Sequence, residues 1–436
     1  MSESRLPASV RAFRHRNYQL FFGGQLISIC GTWMQSVAQS WLVYRLTGSA
    51  ALLGFVNFAN LIPVFLLSPL GGAAADRSSR HRILLITQIV SMLLAFVLAA
   101  LTLSGRIQVW HLFVLAALLG VNYAFYVPAQ SAFVVDMVGR DDLMNAIALN
   151  SSMVNGARII GPAIAGLLVA AVGEGWCFLL NGVSYFAVIG GLLLMKVTPH
   201  RKVSLPGSPL KDVVEGFAFV IRARPVRALL LLLGAVSLFG APYAVLMPIF
   251  SDQILHHGAS ALGVLMGASG VGALAAAFSL AARRQLRGLG LWVAMASAGF
   301  GASLILFALS RSFWLSASLL VPVGYAMMIE MAASNTLIQA MVPDNLRGRV
   351  MAVYSMMYMG MAPIGALIAG SLAQRFGAPH TVMLGGAVCI IGGALFALRL
   401  PRLREEGRKI IIALQMTAAS PGDEISEASV LASTDE

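Results

Sequence analysis

The sequence predicts an all-α membrane protein of twelve spanning helices in two six-helix halves. Three observations carry that reading. Hydrophobic residues fill 58% of the 436 positions and charged residues only 11%, against roughly a quarter charged in soluble domains. A soluble chain of this length would lack the polar surface to cover itself. Apolar runs long enough to cross the hydrocarbon, about 20 residues each, recur along the whole chain. The basic residues gather in alternate connections between these runs.

The expected spans are 19–44, 52–75, 83–104, 108–135, 143–171, 176–196, 227–251, 260–282, 289–309, 313–339, 349–373 and 380–399. None shows the period-two alternation of a strand. The first follows Arg5, Arg11, Arg14 and Arg16 and holds Trp33 and Trp41; it is too long for a signal peptide and is read as a retained helix. With the N-terminus placed in the cytoplasm, 25 of the 30 Lys and Arg residues fall on the cytoplasmic side. Arg45, Arg106, Arg311 and Arg375 fall opposite, and Arg158 lies inside the fifth span. That asymmetry places both termini in the cytoplasm. The formal charge of +12, spread over short loops, argues against a nucleic-acid partner.

The chain then divides into a first half (1–196), a central cytoplasmic loop (197–226) with an amphipathic helix in Leu210–Val220, a second half (227–400) and a tail (401–436) expected to be largely disordered. The halves repeat. At an offset of 204, Gly120, Gly156, Gly161, Gly166, Gly173 and Gly182 fall on Gly324, Gly360, Gly365, Gly370, Gly377 and Gly386. At a slightly larger offset Leu53-Gly54 falls on Leu262-Gly263. A duplicated six-helix unit puts a substrate path between the copies.

The tightest charged stretch, Gly72-Ala-Ala-Ala-Asp76-Arg77-Ser-Ser-Arg80-His81-Arg82, joins the second and third spans. It resembles the signature between helices 2 and 3 of the major facilitator superfamily. Gly139–Ala146, the stretch Arg158–Gly166, and Pro209-Leu210-Lys211 leading into Glu215-Gly216-Phe217 look like the enterobactin-exporter branch, which includes macrolide-efflux-like proteins. The resemblance covers nearly the whole chain. It implies a monomeric multi-pass carrier of the bacterial inner membrane that exports its cargo by alternating access, with protons as the drive; the substrate does not follow from it, but a wall of aromatics, Met and scattered amides suits an amphipathic siderophore- or drug-like molecule. The second half departs from the pattern, since Ala281-Ala282-Arg283-Arg284-Gln285 has basics but no acid. Within the fourth span, the run Leu115–Gly120 also lacks the arginine that many proton-coupled exporters place before the glycine.

Several residues are candidates for function. Asp76 at a helix end suits the N–H groups of a neighbouring helix N-terminus; in similar transporters such a contact latches the halves in the outward-facing state. Gly72 would let a helix approach, and Arg77 and Arg80 would bind partner acids or carbonyls. Otherwise the stretch is a positive-inside loop. Gly156, Gly161, Pro162 and Gly166 resemble the exporter-associated helix-5 motif; ordinary glycine packing is the competing account. Arg158 and Glu330 are the deepest charges, and a mid-membrane charge costs at least ~2.5 kcal/mol unless it meets a partner or water. Arg158 would hold an anionic substrate group or pair across the cavity, and Glu330 would take a proton or cation. Bracing of helix 5 and a protonated hydrogen-bond donor are the structural alternatives. Gln25, Ser28, Thr32, Gln35 and Gln39 form one polar face on the first span, which must look inward in lipid. Asn57, Asn60, Asn122, Tyr123, Tyr126, Asn335 and Gln339 are weaker lining candidates.

Asp252, His256 and His257 read as polar loop residues, and Cys30, Cys177 and Cys389 as packing residues without metal-ligand spacing. No Walker loop or nucleophile–base pair is present in the sequence, so neither an enzyme nor a bound cofactor or metal is expected. The alternatives to an exporter are a lysophospholipid or lipid flippase, an uptake carrier, and a non-transporting receptor or assembly subunit. Beyond the surrounding lipid, the expected partners are a small molecule and protons.

Overall fold

The computed structural model describes residues 8–196, 209–282 and 288–419. A short 3-10 helix, Ala8–Arg14, precedes α1 (Arg16–Thr47), α2 (Ala50–Arg77), α3 (Arg80–Leu103), α4 (Val109–Val138), α5 (Leu143–Val172) and α6 (Glu174–Leu193). Next come the amphipathic α7 (Pro209–Arg222), α8 (Arg224–Ile254), α9 (Gly258–Ala281), α10 (Leu289–Leu309), α11 (Phe313–Met341), α12 (Asp344–Met359), α13 (Met361–Phe376) and α14 (Ala378–Ala419). Among the described residues, eleven helical runs are long and apolar enough to cross a membrane, with α12 and α13 counted as one. α1 is not among them. Its 32 residues give ample length, but the five polar residues of its stripe lower its hydropathy.

Turn chemistry fixes the ends. Ser49 caps α2 by accepting from Leu52 N–H, and Ser79 caps α3 by accepting from Arg82 N–H. Gly48, at φ +61°, closes α1 in the left-handed region that glycine tolerates. α8 is irregular, with wide π turns at Val236–Gly240 and Phe250–Ile254 and a 3-10 stretch at Ala241–Leu246. α12 and α13 are parted by a turn at Gly360, against which the Phe65 ring of α2 packs.

One expectation needs correction. The sequence reading ends the last helix near residue 400, yet α14 runs on to Ala419. Glu405–Lys409 (2.8 Å) supports it as an i,i+4 pair. Leu403, Ile410 and Ile411 pack on a core cluster that includes Leu229 and Met341, so burial as well as charge pairing extends it. Residues 420–436 lie outside the described part. The loop helix runs Pro209–Arg222, and it docks on α12 through Glu215 and Arg349 and through Gly216 against the Arg349 backbone. Residues 197–208 lie outside the described part.

α1 to α6 pack among themselves, as do α8 to α14. The two groups meet chiefly where α5 crosses α9 and where α2 crosses α13. The core shows the arrangement most plainly. One buried cluster is shared by both groups, running from Leu42, Leu53 and Phe178 to Phe250, Leu265 and Phe307. At the opposite end the core splits. Tyr18, Leu84, Phe133 and Leu192 form a cluster in the first group, and Val226, Val293, Ile338 and Val350 form another in the second. The bundle is joined at the Gly48 end and parted at the Asp76 end.

Candidate functional site

Under the joined end lies a cavity of about 220 Å³. Its polar wall comes from α1 (Thr32, Gln35, Ser36, Gln39, Ser40) and α2 (Asn57, Asn60), its aromatic wall from Trp33, Tyr123 and Tyr185. Val245 of α8 lines it from the second group. The polar stripe of α1 therefore does face inward, but it divides its work. Gln35 Oε1 accepts from Asn181 Nδ2 of α6 at 2.7 Å, which fixes how its amide is presented. Gln25 lies buried outside the lining and donates to the Tyr126 hydroxyl at 2.7 Å. Ser28 is also buried away from the lining.

Four of the weaker lining candidates, Tyr126, Asn122, Asn335 and Gln339, serve elsewhere. Tyr126 is taken up by Gln25. Asn122 turns toward α3, donating to Thr87 O (2.9 Å) and Ser91 Oγ (2.7 Å), and so ties two helices together. Asn335 accepts from Gln339 Nε2 of its own helix at 2.6 Å. Each amide or hydroxyl is taken by another side chain or a neighbouring helix, a choice that a sequence stripe does not resolve. Asn57 and Asn60 do line the cavity, and Asn60 also donates to Ala116 O at 3.2 Å.

Arg158 sits with its guanidinium carbon 5.8 Å from the Trp33 ring centre, a cation–π placement at the cavity wall. Glu330 of α11 is 2% exposed. Its Oε1 and the Ser334 Oγ one turn along are buried without a hydrogen-bond partner among the described residues. No Arg158–Glu330 ion pair forms within 4.0 Å among the described residues. Tyr358 of α12 lies within electrostatic reach of both charges, and Tyr243 of α8 within reach of Arg158 and Tyr358. The two deep charges thus belong to opposite groups and share a tyrosine neighbourhood.

The charged turn after α2 is open. Asp76 has a 56% exposed side chain and, among the described residues, meets Arg80 at 3.9 Å rather than a helix N-terminus. Arg80 instead grips Asp136 of α4 at 2.9 and 3.1 Å, and reaches Ala132 O and Ala75 O at 3.4 Å. Arg77 is exposed. A methyl group on Gly72 would meet nothing within 4 Å among the described residues; the close approach is made by Gly71, which packs on the α4 backbone at Ala124. Adjacent residues point about 100° apart on a helix, so only one of the two glycines faces α4. Sequence reasoning misses Asp136, although an acid ending a long apolar run is its signal.

The helix-5 glycines also divide. Gly161 packs on Cys30 and Trp33 of α1, while Gly166 and the Pro162 carbonyl meet Gly263 of α9 in the other group. Gly156 faces open space. The joined end carries two further links between groups: Tyr44 donates to Asp252 Oδ2 at 2.7 Å, and Ser49 to Gln374 Oε1 at 3.0 Å. At the parted end, Asp142 (1% exposed side chain) draws Arg14 at 2.6 Å, His15 at 2.9 Å and Arg11 at 3.7 Å, all within the first group. The His15 hydrogen bond, aided by both arginines against the effect of burial, holds its carboxyl below the usual range. Among the described residues, no group of His, Cys, Asp and Glu side chains could hold a metal.

An all-helical bundle of multiple apolar spans around a polar cavity is the architecture of a multi-pass membrane transporter, and the family-model match over residues 8–418 makes the chain one of the major facilitator superfamily. More narrowly, the chain belongs to the family described as transmembrane secretion effector, whose model matches residues 8–418. It is 28% identical to the Staphyloferrin A transporter of Staphylococcus aureus, over 88% of this chain and 97% of that one. It is 27% identical to the multidrug efflux pump Tap of Mycolicibacterium fortuitum, over 86% and 93%. It is 25% identical to the enterobactin exporter EntS of Shigella boydii, over 89% and 93%. Among solved structures, a POT family transporter superposes with a TM-score of 0.72 at 12% identity, covering 89% of this chain and 97% of the other. The nucleoside transporter NupG gives 0.68 at 13%, over 88% and 98%. These likenesses show the fold. The family and its relatives are transporters, not enzymes.

Proposed function

We propose that the protein exports an amphipathic small molecule, siderophore- or drug-like, across the bacterial inner membrane by alternating access, with protons as the drive. One observation carries this reading: the core is continuous at one end of the bundle and split at the other, around a cavity lined by amides and aromatics. A mixed wall of that kind suits a solute with both polar and apolar faces.

α1 serves as the twelfth span, because its polar stripe turns inward, to the cavity, to Asn181 of α6 and to Tyr126 of α4. The chain then forms two six-helix halves, 1–196 and 227–400, with both termini cytoplasmic. The parted end faces the cytoplasm, so the conformation is inward-facing. The exposed Asp76 is its latch in the released position. The duplication supports the two-half reading, since glycines that match in sequence make matching contacts. Gly120 packs on α2 at Asn60, and Gly324 packs on α9 at Ser269.

Arg158, poised over Trp33, meets the anionic face of the solute, and Glu330 carries the proton. Its buried, unpartnered oxygen supports that role, because a carboxyl in such a place is stable only when it is neutral or when it meets a cation or water. The protein acts as a monomer. Siderophores enter the proposal from the names of two relatives, drugs from that of the third.

The test is solute flux in proteoliposomes, with staphyloferrin A, enterobactin and a lipophilic drug cation, with and without an imposed pH gradient. Gradient-driven movement of at least one class is expected. No flux of any solute under either condition would sink the proposal.

A further inference from the structure

A groove lies away from the transport cavity, within the second group of helices at the parted end. It has a volume of about 510 Å³ and is walled by α8, α10, α11 and α14. Leu229, Leu337, Met341, Phe396, Leu400 and Ile411 make it apolar, and Arg404 and Arg408 stand on the same wall. Gly407 lets α14 lie against Met341 and Pro225; a methyl group there would sit 3.1 Å from Met341 Sδ.

Two features say what the groove takes. The first is charge. Arg404 and Arg408 are exposed, four residues apart on one face of α14, and neither has a carboxylate within 4.0 Å among the described residues. The neighbouring acids are already engaged: Glu405 with Lys409 at 2.8 Å, Glu406 with Arg224 at 3.4 Å. Two free guanidinia at one rim match a phosphate. The second is depth. From Ala378, Arg404 lies ~39 Å and Arg408 ~45 Å along the helix at 1.5 Å per residue. That is beyond the ~30 Å of hydrocarbon and at the level of the headgroups. On the same helix Leu395 and Leu398 are 52% and 78% exposed, as expected of a surface bathed in lipid.

We propose that this groove binds an anionic glycerophospholipid of the surrounding bilayer, with an acyl chain along Met341, Phe396 and Leu400 and the phosphate between Arg404 and Arg408. Basic pockets between spanning helices on the cytoplasmic side recognise anionic headgroups by this combination of charge and apolar contact. The lipid bridges α8, α11 and α14 at the end where the second group has lost contact with the first. It therefore braces that group in the conformation described here. The assignment stands apart from what the protein transports, since no groove residue lines the cavity.

The test is native mass spectrometry of the delipidated full chain, titrated with phosphatidylglycerol or with phosphatidylcholine of the same acyl chains. Retention of phosphatidylglycerol in preference to phosphatidylcholine is expected. R404Q/R408Q should weaken phosphatidylglycerol binding roughly thirtyfold, the weight of two basic contacts at a membrane surface. R404K/R408K, which keeps the charge, should retain most of it. Equal retention of the two lipids, or R404Q/R408Q binding phosphatidylglycerol like the parent, would overturn the assignment. So would a full chain that retains no phosphatidylglycerol, the result expected if the acidic tail or the transported solute fills the groove. The headgroup preference of the parent and the lysine variant decide the matter even if the glutamine variant misfolds.

Discussion

Gly166 on α5 and Gly263 on α9 pass so close that a methyl group on Gly166 would lie 2.9 Å from Gly263 Cα, and one on Gly263 would lie 2.8 Å from Gly166 Cα. Gly54 on α2 and Gly370 on α13 repeat the arrangement at 3.2 and 3.0 Å. In the sequence repeat Gly166 matches Gly370 and Gly54 matches Gly263. The two crossings between groups are thus one contact used twice, with the roles of the halves exchanged.

These crossings hold the joined end shut. Gly166→Val or Gly370→Val should wedge it open and disfavour this state by about 1–3 kcal/mol, the usual cost of overpacking. A cysteine placed at Gln39 should then react faster with an impermeant thiol reagent added from outside. Unchanged reactivity in both variants would show that the crossings do not gate access.

Asp76 is exposed here, with Arg80 of the same turn at 3.9 Å, and is expected to engage a helix N-terminus only when the parted end closes. Asp76→Asn should reduce turnover about tenfold, with solute affinity changed less than twofold, because it destabilises a state rather than a binding contact. Stopped-flow binding together with flux separates the two quantities. Asp136→Asn should act alongside it, since Arg80 is held by Asp136.

Glu330→Gln should abolish gradient-driven flux while leaving solute counterflow within about threefold of the parent, because exchange does not require the proton to be released. Proteoliposomes preloaded with unlabelled solute measure the second quantity.

Arg158→Gln should raise KM for an anionic solute about tenfold, the loss of one charge contact of ~1.4 kcal/mol, and leave a cationic drug little affected. A concentration series for each solute tests this selectivity.

Asp142 gathers the N-terminal segment, and its carboxyl titrates below the usual carboxylate range. A lowered folded pKa means that the stability it lends is present above the ordinary value of 3.8 and is lost as pH falls through the folded value. The Ala12 amide, which donates to Asn145 Oδ1 at 2.8 Å, should therefore stay protected from hydrogen exchange at pH 5 to 7. Asp142→Asn should remove that protection already at pH 7. Exchange mass spectrometry reads both.

Much of the fold is legible in the sequence because lipid simplifies the code. Each span has to be about 20 residues long and helical, so hydropathy marks their places. α1 is read from the length of its apolar run, and the helix is there at Arg16–Thr47, although its polar stripe keeps it outside a purely apolar criterion. The extension of α14 is not legible, because Glu405–Lys409 and the packing of Ile410 and Ile411 depend on where α8 and α11 lie. At the site, the sequence puts Thr32, Gln35 and Asn57 on the cavity, where the structure has them. It misplaces Asn122 and Tyr126, since a residue one step round a helix can serve either a neighbouring helix or a cavity, and only the three-dimensional partner decides. Gly71 and Gly72 make the same point over a single residue.

The central claim is that this structure is one end of a rocking cycle. It is tested most directly by spin-label distances at the two ends, in a background with Cys30, Cys177 and Cys389 replaced by serine. One pair, Leu46→Cys with Phe376→Cys, reports the joined end; the other, Ser78→Cys with Arg347→Cys, reports the parted end. The account predicts that Gly166→Val lengthens the first distance and shortens the second. Distances that move together, or that do not move at all, would contradict it.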